Sequence, residues 1–332
     1  MEETQEKNII TVTLSPSLDR TLVTHYLAVG YHNVTVESTR LDPAGAGVNI
    51  ARALNRLLGR GHGIILLGDD ATGLAYRALI VEEDFDKTVI RVTGRTRSRT
   101  IILDTGNQEE TQIVEESAGI TRVDVEQLVG SLTELARPED IVVFAGPLPN
   151  ESPRDTYAWL TGIVHDQTDA DVGIVTGGEP LSEALKAQPE FVAVTQIQAE
   201  AFFNYPVRTL EDLLGSGRRL VEQGAHSVLL EMRDGEGAVL VNPEGAWIAT
   251  LPDRGEGTTS GVWDALLAGF LTAYVNRKPP LEALALGAAA AAYTGAQVGS
   301  EFGTLDEVQD YIRQIDVRAV SEEETAKPAA ED

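Results

Sequence analysis

The chain has 332 residues, 42% of them hydrophobic, and 52 acidic against 26 basic side chains give a formal net charge of −26. That length can bury one large core with an accessory piece, and a field of that sign repels a phosphate backbone, so no nucleic-acid partner is expected. There is no cysteine to form a disulfide, a thiolate site or a nucleophile, and the five histidines (His25, His32, His62, His165, His226) lack the spacing of a zinc site.

In chain order, Met1–Lys7 is acidic and polar, unlike a leader peptide, and no apolar run approaches membrane-spanning length. The expectation is a soluble cytoplasmic protein with no membrane partner. Asn8–Leu14 is a short β-branched run and predicts a buried first strand. The turn Ser15-Pro16-Ser17-Leu18-Asp19 follows, with no G-x-G-x-x-G, which argues against a dinucleotide-binding enzyme. Thr21–Leu27 and Val34–Leu41 are strand-like, as are Arg97–Asp104 and Thr111–Val114 around a Gly106-Asn107 turn. These pairs predict a small sheet built from separate segments, about 15–41 and 92–117. Asn49–Leu58 is helical with Ile50, Ala53, Leu54 and Leu57 on one face. Strand Gly63–Leu67, the loop Gly68–Gly73 and a helix to Glu82 come next.

From Val123 helices and strands alternate: helices Val123–Leu135, Pro153–Val164, Glu179–Ala187 and Leu210–Glu222, and strands Ile141–Ala145, Val172–Val175, Phe191–Val194 and Ser227–Glu231. Ala238–Val241 and Ala246–Ala249 form a hairpin. Leu281–Val298 is a long helix whose alanines allow close packing. The pattern predicts an α/β fold with a mostly parallel central sheet and helices on both faces. The organised region is expected over 8–318, with disordered tails at 1–7 and 320–332.

The stretch Gly257-Thr258-Thr259-Ser260-Gly261-Val262-Trp263-Asp264, before the apolar run Ala265–Tyr274, reads as a turn opening a helix. Such a start leaves N–H groups unpaired at the positive end of the helix dipole, which suits a developing anion. Asp264 falls in the first turn. It is either a favourable first-turn charge or a carboxylate placed to take a proton from a hydroxyl beside that hole.

Gly261-Val262-Trp263-Asp264 resembles the catalytic Gly-Ala-Gly-Asp loop of the PfkB/ribokinase family of sugar kinases, with tryptophan in place of the second glycine. Gly45-Ala46-Gly47-Val48-Asn49 resembles the family's first signature, although Ala46 replaces the lysine of many relatives. The resemblance covers roughly residues 8–318 and is strongest to the phosphofructokinase and tagatose-phosphate kinase branch. It implies a ribokinase-like three-layer sandwich whose small discontinuous β-sheet is a lid over the sugar site and often a homodimer surface. It also implies a sugar-phosphate substrate, ATP as co-substrate and Mg²⁺.

Carried onto this chain, Asp264 is the general base, and the backbone of Gly261, Val262, Trp263 and Asp264 is the anion hole. Asp19, Gly45, Gly47, Asn49 and Arg97 contact the substrate, Arg97 through its phosphate; otherwise Arg95, Arg97 and Arg99 are exposed strand charges. Glu200, Gly235 and Gly237 belong to the nucleotide side, with Glu200 supporting Mg²⁺ through water. That side departs from the family pattern. Ile197 stands where an asparagine is usual, Asp234 where the phosphate loop falls, Thr176-Gly177 where Asp-Ser is usual, and the side chain of Trp263 needs volume in a place built for none. Two activities follow: a kinase acting on a sugar phosphate, or a non-catalytic protein that binds one.

Overall fold

The computed structural model describes residues 7–37, 39–117, 119–252, 259–297 and 300–321. Most of the expected tails lies outside those residues, as do Gly257 and Thr258 before the catalytic turn and Val298 at the end of the long helix.

β1 (Ile9–Thr13) runs through the middle of the molecule, buried along its whole length, while β2 (Ser17–Thr24) and β3 (Arg40–Ala44) leave for a separate sheet. α1 (Ala46–Leu58), β4 (His62–Gly68), α2 (Ala71–Ile80) and β5 (Asp86–Val92) return to the body. β6 (Arg97–Asp104) and β7 (Glu109–Val114) complete the separate sheet. Then come α3 (Arg122–Leu135), β8 (Ile141–Ala145), α4 (Thr156–Thr168), β9 (Asp171–Val175) and α5 (Gly178–Leu185). β10 (Phe191–Thr195), α6 (Gln196–Phe203), α7 (Leu210–Glu222) and β11 (Ser227–Glu231) continue the alternation. The hairpin β12 (Gly237–Asn242) and β13 (Gly245–Thr250) precedes α8 (Val262–Val275), α9 (Pro280–Gly295), α10 (Leu305–Ile312) and β14 (Asp316–Ala319).

Among the described residues ten strands form one sheet, in the order β14-β13-β12-β11-β10-β9-β8-β1-β4-β5. From β11 to β5 every pairing is parallel; the three strands at the other edge are antiparallel. The parallel strands read as near-continuous apolar runs because both faces are covered. β8 shows the division: Val142 and Phe144 enter the layer of α3, α4, α5 and α7, while Ile141, Val143 and Ala145 enter that of α1, α8 and α9. The result is the expected three-layer sandwich.

α8 is apolar nearly all round because it is enclosed by the sheet, α1 and α9. A Cβ on Gly269 would lie 2.6 Å from Leu286 O, and one on Gly287 would lie 2.7 Å from Leu266 O. The backbones of α8 and α9 therefore approach closely at this pair, as the small residues of the long helix predict.

The second sheet has four strands in the order β3-β2-β6-β7, with β2 and β6 parallel, and is the expected discontinuous lid. Its boundaries differ from the predicted ones. Val34–Val36 is not a strand: Val34 and Val36 are exposed, and one backbone bond, Val36 N–H to Val23 O at 2.9 Å, ties this run to the lid. β-Branched residues form a strand only where a face or an edge receives them. β5, α6, α10 and β14 were not predicted. β5 is a half-exposed edge strand whose apolar residues are broken up by Asp86, Lys87 and Arg91.

Candidate active site

Parallel sheets leave a crevice outside the carboxyl ends of their strands. Here the crevice is a cavity of about 1060 Å³, walled by the turns after β8, β9 and β10, the N-terminal ends of α1 and α8, and lid side chains Arg97, Arg99 and Gln112. The cavity brings together Gly45, Asn49, Arg97, Gly261, Trp263 and Asp264 of the predicted site residues.

Gly261 caps α8 in the left-handed region, φ 79°, where an added Cβ would also meet Ser300 Oγ at 2.9 Å. This turn sets the direction of the helix mouth and puts Asp264 at the third helical position. Asn49, 2% exposed on α1, donates Nδ2 to Asp264 Oδ2 at 2.7 Å. Burial pushes the Asp264 carboxyl up to about 6; the Asn49 hydrogen bond and the Arg99 charge oppose this in smaller measure, and Asp19 adds to it. A carboxylate with that proton affinity is suited to accepting a hydroxyl proton near neutrality.

Four helices begin at this cavity: α1 at Gly45, α5 at Gly177, α6 at Thr195 and α8 at Gly261. α6 is closed by its own capping box of Thr195 and Gln198. The other three have glycine caps and no side-chain cap bond. At α8, Val262 N–H reaches Thr259 O at 3.3 Å and Ala265 N–H bonds Gly261 O. Among the described residues no carbonyl accepts from Trp263 or Asp264 N–H. Uncapped helix mouths turned to one space suit an anion despite the acidic chain.

Among the described residues the lid contributes two of the three lining arginines; the third, Arg154, pairs with Glu179 at 3.3 Å. Arg97 is partly buried, and burial, with Arg99 alongside, holds its pKa below the usual guanidinium range. Its Nε is buried with no partner, as are Asn49 Oδ1 and Ser152 Oγ in the same lining. Each such atom costs about 1–3 kcal/mol unless something meets it. Asp19, 3% exposed, is not in the lining; it lies behind Arg99, which donates to its Oδ2 through Nε at 3.0 Å and through Nη2, while Ser17 Oγ donates to Oδ1 at 2.7 Å. Gly47 is also outside the lining, and a Cβ there would sit 2.5 Å from Thr13 Oγ1.

The predicted nucleotide residues are dispersed. Glu200 lines a separate pocket of about 490 Å³ and is held by Arg233 Nη2 at 2.8 Å and Val207 N–H at 3.1 Å. Gly235 lines a smaller pocket with Ile197, Thr259 and Val262. Gly237 is a packed strand residue, its Cβ position 2.0 Å from Ala249 O. Asp234 lies in a 3-10 turn, Arg233–Gly235, and its side chain falls outside the described residues. Glu231, Thr195 and Gln198 line the main cavity instead.

Residues 12–324 match the pfkB family of carbohydrate kinases. The chain belongs to that family. This PfkB kinase is 30% identical over 309 residues to the 1-phosphofructokinase of Bacillus subtilis, covering 93% of this chain and 99% of the relative. It is 28% identical over 305 residues to the 1-phosphofructokinase of Escherichia coli, covering 91% and 95%. The solved phosphofructokinase-2 of E. coli in complex with potassium shares the fold, with a TM-score of 0.83 at 23% identity over 93% of this chain and 99% of that one.

Two departures from the family pattern read differently in three dimensions. Trp263 does not fill the cavity: its side chain is partly buried, packs against the apolar layer of α1, α8 and α9, and forms part of the wall. Ile197 is 61% exposed beside the cavity, not inside it. Neither residue closes the space, and the relatives named above are kinases, so the non-catalytic reading finds no support.

Proposed function

We propose that this PfkB kinase transfers the γ-phosphoryl group of ATP to a hydroxyl of a ketohexose phosphate, with fructose 1-phosphate as the first candidate. The observation that carries the reading is the pairing of Asp264 with Asn49 at the uncapped mouth of α8, in one cavity with the partnerless Nε of Arg97. Arg97 receives the phosphate already on the sugar, as a guanidinium suits bidentate binding. Gly45 lets the backbone approach the sugar ring. Asn49 keeps Asp264 oriented through Nδ2 and offers Oδ1 to a sugar hydroxyl. Asp264 takes the hydroxyl proton, and the N–H groups of Trp263 and Asp264, with the turn at Gly261, face the charge that develops on the phosphoryl group. The nucleotide lies toward the uncapped start of α5 and the loop at Gly235.

Mg²⁺ would arrive with the nucleotide phosphates; among the described residues no group of three His, Cys, Asp or Glu is placed to hold a metal ion. When bound it supplies neutralisation of the donor phosphates. Glu200, fixed by Arg233, would act on it only through water. A cytoplasmic location, where ATP is the donor at hand, goes with this reading; among the described residues no helix is long and apolar enough to cross a membrane.

The test is ADP release by the purified chain with Mg·ATP across fructose 1-phosphate, fructose 6-phosphate and tagatose 6-phosphate. Fructose 1-phosphate should give the highest kcat/KM. No ADP release with any of the three overturns the proposal.

A further inference from the structure

Among the described residues three guanidiniums line the cavity: Arg154 pairs with Glu179 at 3.3 Å, while Arg97 and Arg99 reach in from the lid. Arg97 and Arg99 alternate on β6, so their side chains leave one face of the strand, with Cα atoms about 7 Å apart at the usual rise per residue. They have different neighbours. Both feel the Asp19 charge, but Arg97 lies within electrostatic reach of Tyr157, whereas Arg99 bonds Asp19 and lies within reach of Asp264 and Glu110. The parallel register of β2 and β6 sets Asp19 directly opposite Arg99. Asp19 is thereby engaged: two N–H groups of Arg99 and the Ser17 hydroxyl take three of its roughly four acceptor sites, and it does not line the cavity. A guanidinium carries five N–H donors, so three of Arg99's remain for a ligand.

We propose that Arg99 is a catalytic residue of this kinase, a guanidinium held by Asp19 beside the reacting hydroxyl so that its remaining N–H groups meet the oxygens of the transferring phosphoryl group. Asp19 is then a positioning residue, not a sugar ligand. During transfer the hydroxyl proton goes to Asp264 and the hydroxyl oxygen bonds to the γ-phosphorus. The bond from that phosphorus to the departing ADP oxygen breaks. Arg99 gives up and gains no atom; it holds charge that grows on the oxygens as the bond breaks. The charged groups facing Asp264 are Arg99 from β6 and Asp19 from β2, with neutral Asn49 from α1. Removing Arg99 therefore withdraws the cation that favours the ionised base, and that effect is readable apart from any loss of packing.

The proposal rests on the kinase reading above. The experiment measures kcat, KM and the pH profile for the full-length chain and its Arg99→Gln, Arg99→Lys, Arg97→Gln and Asp19→Asn variants, with Mg·ATP and fructose 1-phosphate. Arg99→Gln should lower kcat by about 10²-fold, the scale of one lost donor at an oxyanion site, with KM nearly unchanged and the acid limb moved to higher pH. Arg99→Lys should recover part of kcat and return the limb toward its wild-type position. Asp19→Asn should show the same kcat loss in weaker form, and Arg97→Gln should raise KM with the limb in place. An active wild type whose Arg99→Gln variant loses only sugar-phosphate affinity, with kcat and the acid limb unmoved, overturns this proposal alone. A wild type silent with every sugar phosphate overturns the kinase reading and this one with it.

Discussion

Asp264 shows how one carboxyl is set for its task and what that setting costs. Burial raises its proton affinity, and the profile of kcat/KM should therefore fall below pH about 6 with a slope of one, the ionised form being the competent base. Replacing it by asparagine keeps the shape and the contact to Asn49 but removes the base; kcat should drop by about 10²–10⁴-fold, with little change in KM. Stability has the opposite sign. A carboxyl whose folded pKa lies above its unfolded value favours the folded state while protonated, and that favour is lost as pH rises through about 6. Asp264→Asn should thus unfold at a higher temperature than the wild type at pH 7.5, and the difference should vanish near pH 4. A melting series across that range checks the sign. Equal melting temperatures at pH 7.5 would mean that the carboxylate carries no desolvation cost in the folded protein.

Elements carry the next level of constraint, because Asp264 is placed by α8 and α8 is placed by glycines. Gly261→Ala puts a side chain at φ 79° and against Ser300, which should cost about 1–3 kcal/mol of stability and reduce kcat by tilting the helix mouth. Gly269→Ala forces α8 from α9 at the Leu286 carbonyl and should cost about 1–3 kcal/mol without touching the cavity, so its melting temperature falls while its kcat at 25 °C is retained. Circular dichroism melts beside ADP assays separate the two. These elements were legible from the sequence for a physical reason: α8 and the strands beside it are long apolar runs whose period and flanking glycines admit one interpretation. β5 and α6 were not, since an edge strand interrupted by Lys87 and Arg91 and a short helix closed by Thr195 and Gln198 leave weak periodic traces. The two signatures at Gly45–Asn49 and Gly261–Asp264 lead to the part of the candidate cavity that sits on helix ends. The bond between Arg99 and Asp19 needed the register of β2 against β6, which no local pattern reveals. The alternation Arg97-Ser98-Arg99 did carry a hint, as period two sets both cations on one face of a strand. The fate of Trp263 was equally hidden, because whether an indole fills a cavity or a wall depends on α1 and α9, far away in the chain.

At the scale of the whole molecule, the lid exposes a group of apolar side chains. The lid and the segment joining β2 to β3 expose Tyr26, Val29, Tyr31, Val34 and Val36, with Val29 at 88% and Tyr31 at 79%, and Ile113 on β7 is 60% exposed. A chain with 52 carboxyl side chains and a net charge of −26 has ample polar surface to present there instead. Other apolar side chains are exposed elsewhere, among them Leu74, Val81 and Val123, but the lid and its connecting segment hold the two most exposed of those described, Val29 and Tyr31, and such a group suits a covering surface. The proposed occupant is a second copy of the lid, so that two chains bury these groups in a shared, two-fold interface. Such an interface needs roughly 800 Å² from each chain to be stable, an area that a four-stranded sheet and its connecting segment are large enough to supply. Sedimentation velocity at micromolar concentration should therefore show a homodimer, and Tyr31→Asp combined with Val34→Asp should convert it to monomer by burying two charges against their symmetry mates. Because Arg97, Arg99 and Gln112 reach the cavity from this same sheet, the monomeric variant should also lose sugar-phosphate affinity, seen as a raised KM with the acid limb of Asp264 unmoved. A wild type that sediments as a monomer would remove the dimer, and a dimer untouched by the double variant would place the contact elsewhere on the surface.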